Sequence, residues 1–210
     1  PTQVPEVQGT GPKDPDKILT RPHDPAAPLS ALVFKVVSDA HGDLTYTRIY
    51  SGTLEKGTRV LNANNGKKEV ISRIYEMHAK ERIAKEKATA GDIVALIGLK
   101  NSATGETLCD SDDQIVLERM EFPEPVISMS IEPASSGDRD KLAHALSVIN
   151  REDPSFRFHY DEETGETVMA GMGELHLDII KTKLTRDLKI PVHVGKPRVA
   201  YRESIQGHAE

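Results

Sequence analysis

The sequence predicts a multi-domain chain: an all-β barrel followed by an α+β domain of ferredoxin-like βαββαβ order. Three observations carry this reading. Between residues 29 and 99, short apolar or alternating runs follow one another with Gly and Asn turns between them. Phe122-Pro-Glu-Pro125 then stiffens the chain and blocks helix, which marks a boundary. Beyond it, strand-like runs are interleaved with two stretches of helical periodicity.

Residues 1–27 carry Pro1, Pro5, Pro12, Pro15, Pro22 and Pro25. Such a stretch buries little and holds no long helix, so it reads as a linker or an extended arm. The barrel is expected over residues 28–121. Residues 31–37 form a β-rich run. In residues 44–51, Leu44, Tyr46, Arg48 and Tyr50 fall on one face and Thr45, Thr47 and Ile49 on the other. Gly52 and Gly57 punctuate the chain before residues 59–62. Asn64-Asn65-Gly66 predicts a hairpin turn, because Asn and Gly tolerate positive φ. Residues 69–75 and 92–99 supply further strands. Several short strands in sequence suggest closure, which also removes open sheet edges.

The second domain is expected over residues 122–198. Residues 126–132 read as a strand and residues 135–152 as a helix, with Leu142, Leu146 and Ile149 on one face. Ser135 or Ser136 is placed to cap it, and Asp138 and Asp140 suit its positive end. Pro154 ends it, since the residue before a proline resists the α conformation. Phe156 and Phe158 open a second strand, and residues 166–172 are a third. Residues 174–188 read as a second helix with Leu177, Ile180, Leu184 and Leu188 on one stripe. Residues 191–194 complete a split βαβ unit with one sheet face under two helices. Residues 199–210 look like the start of a further element.

Composition narrows the function. The chain has 210 residues, 37% hydrophobic but only 4% aromatic, so its cores must be aliphatic. A net charge of −6 argues against a generic polyanion binder, and any RNA contact would need local basic patches. The single cysteine, Cys109, makes neither an internal disulfide nor a cysteine zinc site, and fits a reducing, cytoplasmic setting. No apolar run approaches the roughly 20 residues that span a bilayer, and no signal peptide is read.

The search for chemistry is mostly negative. The phosphate loop G-x-x-x-x-G-K-[ST] is absent, since Gly66-Lys67-Lys68 lacks both the upstream glycine and the hydroxyl residue. The guanine-reading N-K-x-D pattern is also absent, so the chain is not expected to bind GTP by itself. Asp39-Ala-His-Gly42 fits D-x-x-G but reads as a turn between strands. Gly171-x-Gly173 ahead of a helix is either a tight strand-to-helix turn or a phosphate cradle. Glu174-x-His176 does not make H-E-x-x-H, and His176 is expected at a surface or interface. No catalytic, cofactor-binding or metal-binding residue is expected. Lys67, Lys68, Arg73, Lys80 and Arg82 are candidate RNA phosphate contacts in a stretch interrupted by Glu69, Glu76 and Glu81. Tyr46 and Tyr50 suit either base stacking or barrel packing.

Several segments occur together and in order: Arg48-Ile-Tyr-Ser-Gly52, Thr104-Gly-Glu-Thr-Leu-Cys-Asp110, Phe122-Pro-Glu-Pro-Val-Ile127, Glu152-Asp-Pro-Ser-Phe156, Gly171-Met-Gly-Glu-Leu-His-Leu-Asp-Ile-Ile180 and Val199-Ala-Tyr-Arg-Glu203. Together they closely resemble elongation factor G, the GTPase that drives tRNA and mRNA movement on the ribosome. The resemblance implies that residues 28–121 are its domain II, the translation-factor barrel. Residues 122–198 are then domain III and residues 199–210 the start of domain IV, with residues 1–27 the exit from the GTPase domain. GTP and Mg would belong to that GTPase domain and not to this segment, which is not itself expected to be an enzyme. The implied partners are the ribosome, through small-subunit rRNA and a small-subunit protein, and the parent's GTPase domain and domain IV. No membrane or DNA partner is implied. Pro125, Ser155, His176, Ile180 and Lys183 become candidates for a domain III interface or the wall of the fusidic acid pocket. Lys183 stands where the family usually has an arginine. The alternatives are the same segment of a paralogue in ribosome recycling or ribosomal protection, and a stand-alone RNA-binding module.

Overall fold

The structure is a computed structural model that describes residues 4–39, 42–79, 81–117 and 122–198, and every count refers to them. The chain divides into two compact units, which part between residues 121 and 122.

The first unit opens with β1 (Val7–Thr10) and β2 (Ile18–Arg21), a hairpin closed by Gly11 N–H donating to the Lys17 carbonyl at 3.1 Å. This stretch reads in the sequence as a linker or arm. It folds instead because all its prolines fall outside the two strands, where no ladder N–H is needed. The barrel follows with β3 (Ser30–Asp39), β4 (Gly42–Ser51), β5 (Thr53–Glu55) and β6 (Arg59–Asn62). After the 62–67 turn come β7 (Lys68–Val70), β8 (Arg73–His78), β9 (Glu81–Lys85) and β10 (Lys87–Thr89). The last three strands are β11 (Ile93–Ile97), β12 (Thr107–Cys109) and β13 (Val116–Leu117).

Eight of these strands hydrogen-bond in the order β7-β6-β12-β3-β4-β11-β8-β9. β10 pairs with β5, and β13 pairs with β1. Alternation along β4 sets inside from outside: Thr45, Thr47 and Ile49 are fully buried, whereas Arg48 is exposed and Tyr46 and Tyr50 are half-buried. The sheet curls on itself at Ile71-Ser72. Ile71 N–H donates to Thr58 at 3.0 Å and its carbonyl accepts from Gly57 at 2.8 Å, and Ser72 N–H then donates to Ile97 at 2.7 Å. One bent run therefore bonds to β6 through β7 and to β11 through β8. Ile49, Leu54, Ile71, Ile74, Leu96 and Leu108 fill the interior.

One carboxylate lies inside this unit. Glu69 is 6% exposed. Its Oε1 accepts from the N–H groups of Lys100 at 2.5 Å and Asn101 at 2.7 Å, and its Oε2 from Ser102 Oγ at 2.5 Å. Glu106 holds the next turn of the same loop, accepting from Ala103 N–H and Asn62 Nδ2, both at 2.7 Å. Two carboxylates thus take the N–H groups of residues 100, 101 and 103 and the Ser102 hydroxyl in this loop.

The second unit contains β14 (Ile127–Pro133), α1 (Arg139–Glu152), β15 (Arg157–Asp161), β16 (Glu166–Gly171), α2 (Glu174–Thr182) and β17 (Val192–Gly195). The antiparallel order β15-β16-β14-β17 is the ferredoxin-like arrangement. Ile131, Met169, Phe156, Leu146, Leu177 and Leu184 form its core. Two helix ends differ from the periodicity. The first begins with a 3-10 turn over Ser136–Asp138, because the Ser135 hydroxyl accepts from Gly137 N–H and tightens the entry. The second runs into a π turn over Lys183–Asp187, whose extra residue per turn leaves Leu184 buried but rotates Leu188 out to 43% exposure. On the sheet face away from the core, Glu166 is buried and bonds Arg198, through its N–H at 2.9 Å and its Nε at 3.3 Å.

Candidate functional site

The second unit gathers a polar network where α1 ends, β16 ends and α2 begins. After α1, Asp153-Pro-Ser155 forms an Asx turn: Asp153 Oδ1 accepts from Ser155 N–H at 2.9 Å and from Ser155 Oγ at 2.6 Å. The other oxygen, Oδ2, lies 2.9 Å from His176 Nε2 on α2. His176 Nδ1 accepts from Met172 N–H at 3.1 Å. The neutral ring with its proton on Nε2 satisfies both neighbours, so this tautomer follows from the network.

Glycine is required at 171 because of this packing. A Cβ there would stand 2.8 Å from Leu177 Cδ2 and 2.9 Å from His176 Nδ1. The Gly171 carbonyl accepts from Val126 N–H at 2.9 Å, which brings the chain next to Pro125 to the same turn. One residue before Asp153, Glu152 pairs with Lys183, with the Glu152 side chain largely buried.

Of the residues singled out in the sequence, Ser155 and His176 meet through Asp153, and Lys183 sits on the neighbouring Glu152. Ile180 turns inward into the core at 4% exposure and presents little to the surface. The sequence reading quotes Glu152 and Asp153 within a family segment but does not name them as site residues, although Asp-Pro-Ser after a helical run is itself a signal for an Asx turn.

The electrostatics of Asp153 give a pH signature. Partial burial raises its carboxyl, but the Ser155 hydroxyl and N–H and the His176 ring together outweigh this and hold it below the ordinary 3.8. A depressed carboxylate contributes stability above its unfolded-state value and loses it as pH falls through the lower folded-state value. Urea midpoints for the second unit should therefore drop on acidification below about pH 4, and Asp153→Asn should flatten that limb. Equal acid limbs for the two proteins would refute the assignment.

The basic candidates in the first unit are distributed over the turn before β7 and over β7, β8 and β9. Lys67 Nζ bonds Asn101 Oδ1 at 3.1 Å beside the loop held by Glu69, and Lys68 is exposed on β7. Arg73 donates to the Tyr75 hydroxyl at 3.3 Å on β8, and Arg82 stands opposite Met77 on β9. Lys80 lies outside the described residues. Every residue of β9 is exposed, and its charges suit an edge strand. Cys109 is fully buried, which pushes its thiol up and away from nucleophilic chemistry.

Comparisons with known proteins agree with this architecture. The family model for elongation factor G, domain III, matches residues 122–196. That for elongation factor Tu domain 2 matches residues 42–109. Elongation factor G of Chlamydia trachomatis, in serovars D and A, is 52% identical over 200 residues, as is that of Chlamydia caviae. These 200 residues are 95% of this chain but 29% of each relative, so the chain spans under a third of their length. The crystal structure of ttk003000868 from Thermus thermophilus superposes with a TM-score of 0.67 at 29% identity, covering 82% of this chain and 26% of that one. With both domain models in order along one chain and half of its residues shared with these relatives, the chain belongs to the elongation factor G family, of which it carries domains II and III.

Proposed function

We propose that this chain is the docking and relay segment of a ribosomal translocase, a GTPase that moves tRNA and mRNA during protein synthesis in the cytoplasm. The observation that carries this reading is the 52% identity to elongation factor G over 95% of the chain. GTP and its Mg ion would be held by a GTPase domain outside these residues. Two separately cored modules suit a relay, because rigid bodies convert a small event at a γ-phosphate into a larger displacement. Lys67, Lys68, Arg73 and Arg82 are proposed contacts to small-subunit rRNA. The Ser155–Asp153–His176 network, with Pro125 and Lys183 nearby, is the proposed interface to the GTPase domain and the wall of a fusidic acid pocket.

The test is a chimera: a full-length elongation factor G whose domains II and III are exchanged for residues 28–198. It should translocate tRNA in a GTP-dependent manner in a toeprinting assay. His176→Ala in that chimera should weaken fusidic acid inhibition about tenfold, the equivalent of one lost hydrogen bond to a charged or polar partner. A chimera that binds ribosomes and hydrolyses GTP but moves no tRNA would refute the translocase reading.

A further inference from the structure

The outer face of β4 borders a cavity of about 680 Å³ in the first unit. That size is ordinary for a small-molecule site. Its apolar wall is Val7, Leu32, Tyr50 and Leu117, held by the small cluster around Leu61, Cys109 and Ile115. Its polar lining is Arg48, His23, Gln8 and Glu6.

Arg48 is the unusual member. Its guanidinium lies over the Tyr50 ring, 5.1 Å from the centroid. Among the described residues no carboxylate pairs with it. Arg21 in the same unit shows the alternative, since it is closed off by Asp113 at 2.5 Å. In a chain of net charge −6, an arginine left to an aromatic face at the rim of a cavity has its in-plane donors available. His23 is pressed against the Gly91 backbone, where φ is +98° and a Cβ would stand 3.0 Å from the ring. This seats a second hydrogen-bonding side chain on the same cavity.

We propose that this cavity binds one unpaired nucleotide. The phosphate takes the guanidinium edge of Arg48 and the imidazole of His23. The base lies on the Tyr50–Leu32 wall, with Gln8 and Glu6 facing its amino and carbonyl edge. A guanidinium stacked on an aromatic ring serves both parts of such a ligand, because it hydrogen-bonds in its plane and stacks through its face. The same chemistry is met by a free mononucleotide and by one residue of a single RNA strand. The site is separate from Lys67–Arg82 and stands whether or not the parent is a translocase.

The experiment is an amide NMR titration of the 210-residue chain with adenosine monophosphate, with an unstructured five-nucleotide oligoadenylate, and with inorganic phosphate. The expected result is a set of shifts at Arg48, Tyr50, Gly91 and His23. Arg48→Ala should weaken binding at least about tenfold with the thermal midpoint unchanged. Binding of the monophosphate as tightly as the oligonucleotide assigns a free nucleotide, and binding of the oligonucleotide alone assigns an RNA strand. Saturation by phosphate with the same shifts would overturn the nucleotide assignment. So would shifts confined to residues 67–82, shifts that survive Arg48→Ala, or no shifts with either nucleotide ligand at millimolar concentration.

Discussion

Truncating Phe156 to Ala should remove about 4 kcal/mol from the second unit, the usual range for emptying a buried aromatic site. The ring is fully buried and stacks on Phe158, with centroids 6.3 Å apart and planes 18° apart. Its backbone is tied as well: the carbonyl accepts from Asn150 Nδ2 at 2.6 Å, and its N–H donates to Asp153. The cavity therefore opens directly beneath the turn that presents Asp153 and Ser155. Phe156→Leu, which keeps most of the volume, should cost less than half as much. Urea denaturation followed on second-unit resonances measures both. A loss under about 1 kcal/mol for the alanine variant would show that the core closes over the gap and would contradict the packing described.

Glu69→Ala should destabilise the first unit by about 3 kcal/mol, because four donors from residues 100–102 lose this acceptor inside the fold. Glu69→Gln keeps the shape and one acceptor oxygen but turns an N–H₂ toward another donor, so it should recover only part of the loss. The local readout is amide exchange. Lys100 and Asn101 should lose protection in Glu69→Ala well before the strands of the sheet do. Unchanged protection at those two amides would mean that the loop is held by other contacts.

These two residues illustrate what the sequence discloses. Phe156 sits in a run whose strand character and apolar pattern are local, and the helix before it announces itself through Leu142, Leu146 and Ile149. The β4 alternation likewise separates interior Thr45, Thr47 and Ile49 from exterior Arg48. Glu69 is not legible in this way. It lies in a charged stretch and looks like one more solvated residue, and its donors come from residues some thirty positions later. The amino-terminal hairpin is hidden because proline content dominates a composition argument, whereas the placement of each proline decides whether a ladder survives. The π turn that exposes Leu188 is a departure from the 3.6 period, and a periodicity reading has no term for it. At the candidate site, His176 is legible as a polar residue on an amphipathic helix. Its partner Asp153 is not, because their pairing is tertiary.

The partner switch at Ile71-Ser72 constrains the order of folding events in the first unit. Residue 71 must find residues 57 and 58, while residue 72 must find residue 97. Neither sheet margin can be finished while the other is still searching, so the ring is completed by a late, non-local step. High contact order of this kind slows the crossing of the barrier. The barrel is therefore expected to be the kinetically slower of the two modules, with the helix-bearing one already formed while the barrel's strand ends are still seeking their mates.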